Sequence, residues 1–149
     1  MTLWVVTDAS IYLASVFTEA LTPHADALIE NWTVDGYQIA APYLFRYEIV
    51  SVIRKHVARG TFSEQRGKSA LEGMLRQPLV LFEDDLLLRR AFELANLHGR
   101  PTAYDMVYVA LAERLSCELW TADQRLVNVV STSLSWVKWL GSFPLPNRG

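Results

Sequence analysis

Two aspartates in this sequence follow short apolar runs that have the character of β-strands. Asp8 comes directly after residues 3–7, and Asp123 follows residues 118–121 with one residue between. In an open α/β sheet, ligands bind just beyond the carboxyl ends of the strands. We therefore expect the two carboxylates to converge at one edge of a sheet. An aspartate at the end of a strand also commonly serves as the N-cap of the next helix, and that alternative stays open for both.

Asp105 precedes a segment that is apolar around the whole helix circumference. This segment, residues 106–112, is typical of a buried helix. A carboxylate beside such a surface needs a base, hydrogen-bond donors or a metal ion to remain ionised. The ordinary alternative is structural, because residues 102–105 (TAYD) fit the capping-box pattern of a helix N-terminus.

Glu48 borders the apolar face of a second helical segment, residues 44–57. Its position raises the same question about what keeps the carboxylate ionised. An ion pair with Lys55 or Arg46 on the same helix is the alternative to a site. If the four acids converge in one pocket, we expect no Lys or Arg of their own motifs to lie among them.

Other common kinds of catalytic or cofactor site find no support in this sequence. The sequence contains no GxGxxG, Walker A, GxSxG or HExxH pattern, and its one cysteine, Cys117, has no CxxC partner. The three histidines are far apart in the sequence. The carboxylates therefore remain as the groups able to do chemistry.

Composition and charge limit the class of protein. The chain has 149 residues, of which 51% are hydrophobic, enough for a full core without disulfides. One cysteine, no apolar run near the ~20 residues of a membrane helix and no signal-peptide pattern lead us to expect a cytoplasmic protein without a membrane partner. The net charge is −2, yet residues 44–76 hold seven Lys or Arg against three acids. That stretch is either a polyanion-binding ridge or a pair of solvated helix faces.

Apolar periodicity predicts strands that alternate with helices. The predicted strands are residues 3–7, 37–41, 79–82, 118–121 and 135–140. The predicted helices are residues 10–18, 23–32, 42–59 with Pro42 in the first turn, a helix capped by Ser63 and ended by Gln77-Pro78, one from Asp84 or Asp85 to His98, 102–116 and 122–130. This order predicts one α/β domain over residues 1–149, with a parallel sheet and helices on both faces.

Four segments, taken in order, resemble the successive motifs of PIN-domain ribonucleases. They are Asp8-Ala9-Ser10, Glu48 with Arg54-Lys55 one to two turns later, residues 104–113 (YDMVYVALAE) and residues 119–126 (LWTADQRL). The resemblance runs from Leu3 to about Trp139 and is strongest to the small toxins of VapBC toxin–antitoxin pairs. It implies a three-layer fold with a parallel sheet of about five strands in the order 3-2-1-4-5, flanked by helices.

The same resemblance implies a metal-dependent endoribonuclease. It implies that Asp8, Glu48, Asp105 and Asp123 form one catalytic pocket for Mg²⁺ or Mn²⁺, with Thr121 as the hydroxyl residue two positions before the last acid. Arg46, Arg54, Lys55 and Arg59 would then contact the RNA backbone. A cognate antitoxin and a second copy of the chain are the implied protein partners. Ser51 departs from the family, whose members often carry Asn three residues after the glutamate.

Two other functions compete with this interpretation of the sequence. A non-catalytic PIN-like module that binds RNA or protein would keep the fold without cleavage, and Ser51 is the residue that favours it. A phosphoacceptor receiver domain also places acids at strand ends. It would use Asp84 or Asp85 as the acceptor and Lys138 in the last strand, although Asp8 lacks the second acid that a receiver carries after its first strand.

Overall fold

The computed structural model describes residues 1–146, which form an α/β fold. Within that range there are five strands and seven α-helices: β1 Trp4–Thr7, α1 Ala9–Val16, α2 Thr22–Val34, β2 Gln38–Pro42, α3 Leu44–Ala58, α4 Glu64–Leu75, β3 Leu79–Phe82, α5 Asp85–Leu97, α6 Tyr104–Leu115, β4 Leu119–Thr121, α7 Gln124–Val130 and β5 Val137–Trp139. A short 3₁₀ helix, Leu140–Ser142, follows β5. Residues 147–149 of the expected domain lie outside the described residues.

The sheet has the predicted strand order, β3-β2-β1-β4-β5, and every pairing is parallel. Val6 in β1 pairs with Ala40 in β2 on one side and with Leu119 in β4 on the other. The connections after β1 run toward β2 and β3, whereas the connection after β4 runs toward β5 on the other side. The carboxyl ends of β1 and β4 therefore flank the switch point of the sheet. The receiver alternative is wrong, because that fold orders its strands 2-1-3-4-5.

Helices cover both faces of the sheet. Right-handed crossovers place α1 to α4 on one face and α5 to α7 on the other. The closest helix pairs agree with this division: α1 with α2, α3 with α4, and α5 with α6. The three-layer architecture is therefore confirmed.

The core explains the continuous apolar segments of the sequence. Val5, Val6 and Thr7 of β1 are buried, as expected for a central strand covered on both faces. All seven residues from Met106 to Ala112 of α6 are also buried. Because α6 packs on β1 and β2, it forms the centre of its layer.

Most helix boundaries agree with the predictions, and two need correction. Pro42 ends β2, paired with Phe82, and does not begin α3; the next N–H, that of Tyr43, donates to the Phe82 carbonyl at 3.1 Å. Proline fits a strand end because its missing N–H is not needed there. Ala103, not Thr102, is the N-cap of α6, and it makes no side-chain capping bond. Helix α4 is capped by Ser63 as predicted.

Within residues 1–146, no helix combines the length and the apolar character that crossing a membrane requires.

Candidate functional site

Asp8 lies at the carboxyl end of β1, where the backbone turns into α1. It is the N-cap of α1, and its Oδ1 accepts a hydrogen bond from the Ser10 backbone N–H at 3.0 Å. The Ser10 hydroxyl also donates to Oδ1, and the Thr121 hydroxyl donates to Oδ2 at 2.5 Å. The capping alternative is therefore correct as geometry, but capping uses only part of the carboxylate. Three donors fix its orientation at the edge of the sheet.

Burial dominates the electrostatics of Asp8. The pKa of Asp8 is raised from 3.8 to about 7, chiefly by loss of solvent; the bonds from Ser10 and Thr121 lower it, and the negative charge of Glu48 raises it. A carboxyl in this environment gains from any nearby cation. This is the electrostatic condition expected at a metal-binding carboxylate before the ion arrives.

Thr121 joins the ends of β1 and β4. Its hydroxyl is completely buried, donates to Asp8 and accepts from the Asp123 backbone N–H at 3.0 Å. The Ser10 hydroxyl accepts from the Ala122 N–H at 2.8 Å, which adds a second link between the same two strand ends. The adjacency of β1 and β4 thus brings residues separated by more than a hundred positions into direct contact.

Asp123 is exposed and acts as the N-cap of α7. Its Oδ1 accepts from the backbone N–H groups of Arg125 at 3.0 Å and of Leu126 at 3.4 Å. It stands next to Thr121, at the same edge of the sheet as Asp8. The structure therefore gives Asp123 the capping role that the sequence left open, on the rim of the region where the other acids lie.

Glu48 is half-buried on α3 and accepts a hydrogen bond from the Tyr108 hydroxyl of α6 at 2.6 Å. Burial raises the pKa of Glu48, the bond from Tyr108 lowers it, and the charge of Asp105 raises it. The alternative pairing with Lys55 or Arg46 is wrong, since among residues 1–146 neither base forms an ion pair with Glu48.

Asp105 lies in the first turn of α6 and pairs with Arg100 in the preceding loop. The Arg100 guanidinium donates to Asp105 Oδ2 at 3.1 Å. The capping-box alternative is wrong, because α6 has no side-chain cap. A base does lie beside one of the acids, although the expectation concerned only bases of the acids' own motifs. Arg100 is supplied by the loop and not by the segments that carry the acids.

Three of the four predicted acids influence one another electrostatically. The charge of Asp105 acts on Glu48, and the charge of Glu48 acts on Asp8. In the arrangement described for residues 1–146, no three His, Cys, Asp or Glu side chains are close enough to enclose one ion. The donors themselves are all carboxylate oxygens that disfavour each other's charge, which fits a hard divalent cation such as Mg²⁺ or Mn²⁺.

Three residues that orient these acids were absent from the predicted site: Ser10, Arg100 and Tyr108. Tyr108 had a usable signal, because it lies three residues after Asp105 and so shares its face of α6. Ser10 was also recognisable as a short side chain in the turn after a strand-end aspartate. Arg100 had none, since only the fold of the loop brings it to Asp105.

The four predicted RNA-binding bases are all exposed on or just after α3. At 3.6 residues per turn, Lys55 and Arg59 lie within about 20° of Glu48 around the helix axis. By the same geometry Arg54 lies about 120° away and Arg46 about 160° away. Two of the four bases therefore share the face of α3 that carries Glu48, and the other two do not.

Comparison with known proteins identifies a family and several relatives of this chain. The family model of the PIN domain matches residues 6–138. Ribonuclease VapC9 of Mycobacterium tuberculosis is 35% identical over 123 residues, which cover 82% of this chain and 87% of that protein. Ribonuclease VapC3 of Pyrobaculum aerophilum is 31% identical over 81% of this chain and 90% of its own length. A toxin–antitoxin complex from Klebsiella pneumoniae contains a chain of the same fold, with a TM-score of 0.62 at 18% identity over 90% of this chain and 96% of that one.

The fold and the carboxylates at its sheet edge define a class of α/β proteins with an acidic site at the strand switch point. Within that class, this chain belongs to the PIN domain family.

Proposed function

We propose that this chain is a divalent-metal-dependent endoribonuclease and the toxin of a toxin–antitoxin pair. The observation that carries the proposal is the electrostatically linked group of Asp8, Glu48 and Asp105 at the carboxyl end of the sheet. Membership of the PIN family and the similarity to proteins named VapC ribonucleases support it. In this proposal the whole chain is one nuclease domain acting in the cytoplasm.

Asp8, Glu48 and Asp105 would hold Mg²⁺ or Mn²⁺, one or two of them directly and the others through water, because no three lie close enough among the described residues to enclose an ion. Asp123 would complete the set from the rim. Among the described residues, no hydrogen bond reaches Glu48 Oε2 or Asp105 Oδ1, which leaves an oxygen on each for an ion. A bound divalent ion supplies water activation and charge stabilisation in phosphodiester hydrolysis. Ser10 and Thr121 hold the Asp8 carboxylate in one orientation, and Arg100 limits the repulsion between Asp105 and its neighbours.

RNA would approach along the Glu48 side of α3. Lys55 and Arg59 lie about two and three turns beyond Glu48 on the same face, or roughly 10 and 16 Å along the axis. That spacing suits contacts to backbone phosphates on one side of the scissile bond. Arg54 and Arg46 lie on other sides of the helix and would contribute to RNA binding through the positive electrostatic potential of the basic surface.

Two protein partners belong to this proposal. A cognate antitoxin would cover the acidic pocket, in keeping with the names of the VapC relatives and with the toxin–antitoxin complex of the same fold. A second copy of the chain would pack on α5, where Leu88 and Phe92 are 52% and 66% exposed. These residues share one face of the helix, and Leu88 borders a mostly apolar cavity of about 520 Å³ that is also lined by Tyr43, Tyr47 and Tyr104.

Cleavage of structured RNAs by the purified chain tests the enzymatic part. We expect cleavage with Mn²⁺ or Mg²⁺, loss of cleavage with excess EDTA and recovery when metal is restored. Asp8→Asn should abolish cleavage. Asp35→Asn, an exposed aspartate at the end of α2, is the matched control and should cleave normally. Equal cleavage in EDTA by the wild-type chain would contradict the proposal.

A non-catalytic PIN-like module is the second candidate, because Ser51 is exposed and, among residues 1–146, makes no hydrogen bond to Glu48. The same assay separates the two functions. RNA binding that survives without metal-dependent cleavage, in a chain shown to be folded, would favour the binding module.

A further inference from the structure

The contact that fixes Glu48 comes from a different layer of the protein. Glu48 is on α3 and Tyr108 is on α6, and these helices lie on opposite faces of the sheet. The 2.6 Å hydrogen bond therefore crosses over the carboxyl end of the sheet, beside Asp8. On α3 itself, Ser51 is exposed, and within the described residues it makes no bond to Glu48. Glu48 is therefore oriented by a residue from the helix layer on the other face of the sheet.

Tyr108 is well suited to hold a long, flexible carboxylate. Its side chain is only 3% exposed and belongs to the seven-residue buried stretch of α6, so the ring has little freedom to move. A buried tyrosine hydroxyl ordinarily needs a partner, and Glu48 Oε1 is the partner here. The bond engages Oε1, and among the described residues no hydrogen bond reaches Oε2.

The donor is neutral, and this distinguishes it from Arg100 on Asp105. A phenol is uncharged and keeps its proton near neutral pH, so the Tyr108 hydroxyl donates to Glu48 without adding a charge. A Lys or Arg at this place would cancel part of the charge that attracts a cation. A phenol fixes the carboxylate and leaves its charge available.

We propose that Tyr108 is the positioning residue of this site: it holds Glu48 so that the second carboxylate oxygen of Glu48 is presented to a divalent cation. Ser51, on the same helix as Glu48, is too short and too exposed to fix the carboxylate. The inference rests on the proposed metal-dependent function. It assigns no direct contact with RNA or metal to Tyr108 itself. Its consequence is that the hydroxyl acts on metal binding and only through Glu48.

Tyr108→Phe tests this, because it removes the hydroxyl and keeps the buried ring. We expect the affinity for Mn²⁺, measured by calorimetry, to fall at least about ten-fold, as is usual when a residue that orients a metal ligand is removed. RNA cleavage should show a lower kcat at limiting Mn²⁺ with an unchanged KM for RNA, and excess Mn²⁺ should restore the rate. Unchanged Mn²⁺ affinity in a folded Tyr108→Phe protein would overturn the inference.

Two controls are matched to that substitution. Tyr12→Phe removes the hydroxyl of another buried tyrosine, which packs on Phe45 in the core, and should leave Mn²⁺ affinity unchanged. Ser51→Ala should also leave it unchanged. A ten-fold loss of affinity in Ser51→Ala would move the positioning role back to α3 and contradict the proposal.

A double-mutant cycle tests whether Tyr108 acts through Glu48. Glu48→Gln alone should weaken Mn²⁺ binding, and adding Tyr108→Phe should weaken it no further. Additive effects would overturn the inference.

If Tyr108→Phe fails to fold, Glu48→Asp replaces it as the test. Aspartate keeps the negative charge, but its shorter side chain cannot reach Tyr108 and a metal ion together. An unchanged Mn²⁺ affinity in Glu48→Asp would contradict the proposal. A wild-type chain that neither binds Mn²⁺ nor cleaves RNA would instead refute the proposed function.

Discussion

At the scale of single residues, the acids of the site differ in what neutralises or orients them. Asp8 is fixed by two hydroxyls and a backbone N–H, Glu48 by a phenol and Asp105 by a guanidinium. Only the last of these donors carries a charge that offsets the carboxylate. Repulsion within the metal-free site should therefore be greatest at Asp8 and Glu48 and smaller at Asp105.

Asp8→Asn is expected to stabilise the metal-free protein more as the pH rises. A folded pKa of about 7 against an ordinary 3.8 means that Asp8 contributes most to stability below pH 3.8 and loses that contribution as the pH rises through 7. At 1.36 kcal/mol per pKa unit, the cost of the ionised carboxylate at pH 8 is at most about 4 kcal/mol. Asn keeps the shape and is an equally good N-cap.

The measurement is the free energy of unfolding in EDTA at pH 5 and pH 8, for the wild type and for Asp8→Asn. The difference between the two proteins should grow with pH, and added Mn²⁺ should stabilise only the wild type. Asp35→Asn should show no such trend. A difference that is constant with pH would mean that Asp8 ionises in the folded protein as an ordinary aspartate does.

At the scale of helices and strands, α3 is held in place partly by its close approach to α4. Gly67 of α4 is buried, and a Cβ at that position would lie 2.5 Å from Val57 Cγ2 on α3. Only glycine allows the two helices to approach this closely. Since α3 carries Glu48, the packing of α4 helps to set where that carboxylate lies.

Gly67→Ala should destabilise the protein, although alanine favours a helix by about 1 kcal/mol over glycine. Overpacking of this kind typically costs about 1–3 kcal/mol. Gly73→Ala is the matched control, because Gly73 is in the same helix with nothing within 4 Å of its added Cβ, and it should raise stability by up to about 1 kcal/mol. Denaturant unfolding of both variants measures the contrast, and similar effects at the two positions would disprove the close contact.

The division of the basic residues around α3 gives a second prediction at this scale. Reversing the charge of Lys55 and Arg59 together should weaken RNA binding and reduce its salt slope by about 0.7 for each single-strand phosphate that is no longer neutralised. Reversing Arg46 alone should weaken binding less and leave the slope nearly unchanged, since it lies about 160° from Glu48. The check is RNA affinity measured across a salt series. Equal slopes in all variants would show that the bases are a solvated surface.

At the scale of the whole molecule, the exposed apolar residues of α5 predict self-association. The wild-type chain should sediment at micromolar concentration as a species of twice 16.9 kDa. Phe92→Lys should shift it toward the monomer, because it places a charge within the apolar face. Val34→Lys, at an exposed position on α2 across the sheet, should not. A wild-type chain that sediments only as a monomer would contradict the proposed dimer.

Much of the fold could be predicted from local patterns. The parallel sheet and most helix boundaries follow from apolar periodicity and helix caps such as Ser63, whereas the strand order came from the family resemblance. The errors at Pro42 and Thr102 have a common physical cause. Both residues have local preferences for a helix start, but Pro42 pairs with Phe82 in the sheet, and α6 begins after Ala103 without a side-chain cap.

The sequence by itself determined which groups are available: strand-end carboxylates, a buried α6 beginning at an acid and a basic α3. Those features are local, because the apolar pattern of neighbouring residues determines which segments are buried and which are helical. Only the tertiary structure decided their partners. Thr121 reaches Asp8, Tyr108 reaches Glu48 and Arg100 reaches Asp105 because β1 adjoins β4, α3 faces α6 across the sheet edge and a loop turns back on itself. The first two hydrogen bonds join residues 113 and 60 positions apart and depend on how the layers pack, whereas the bond from Arg100 depends on the path of its loop; no local pattern specifies either.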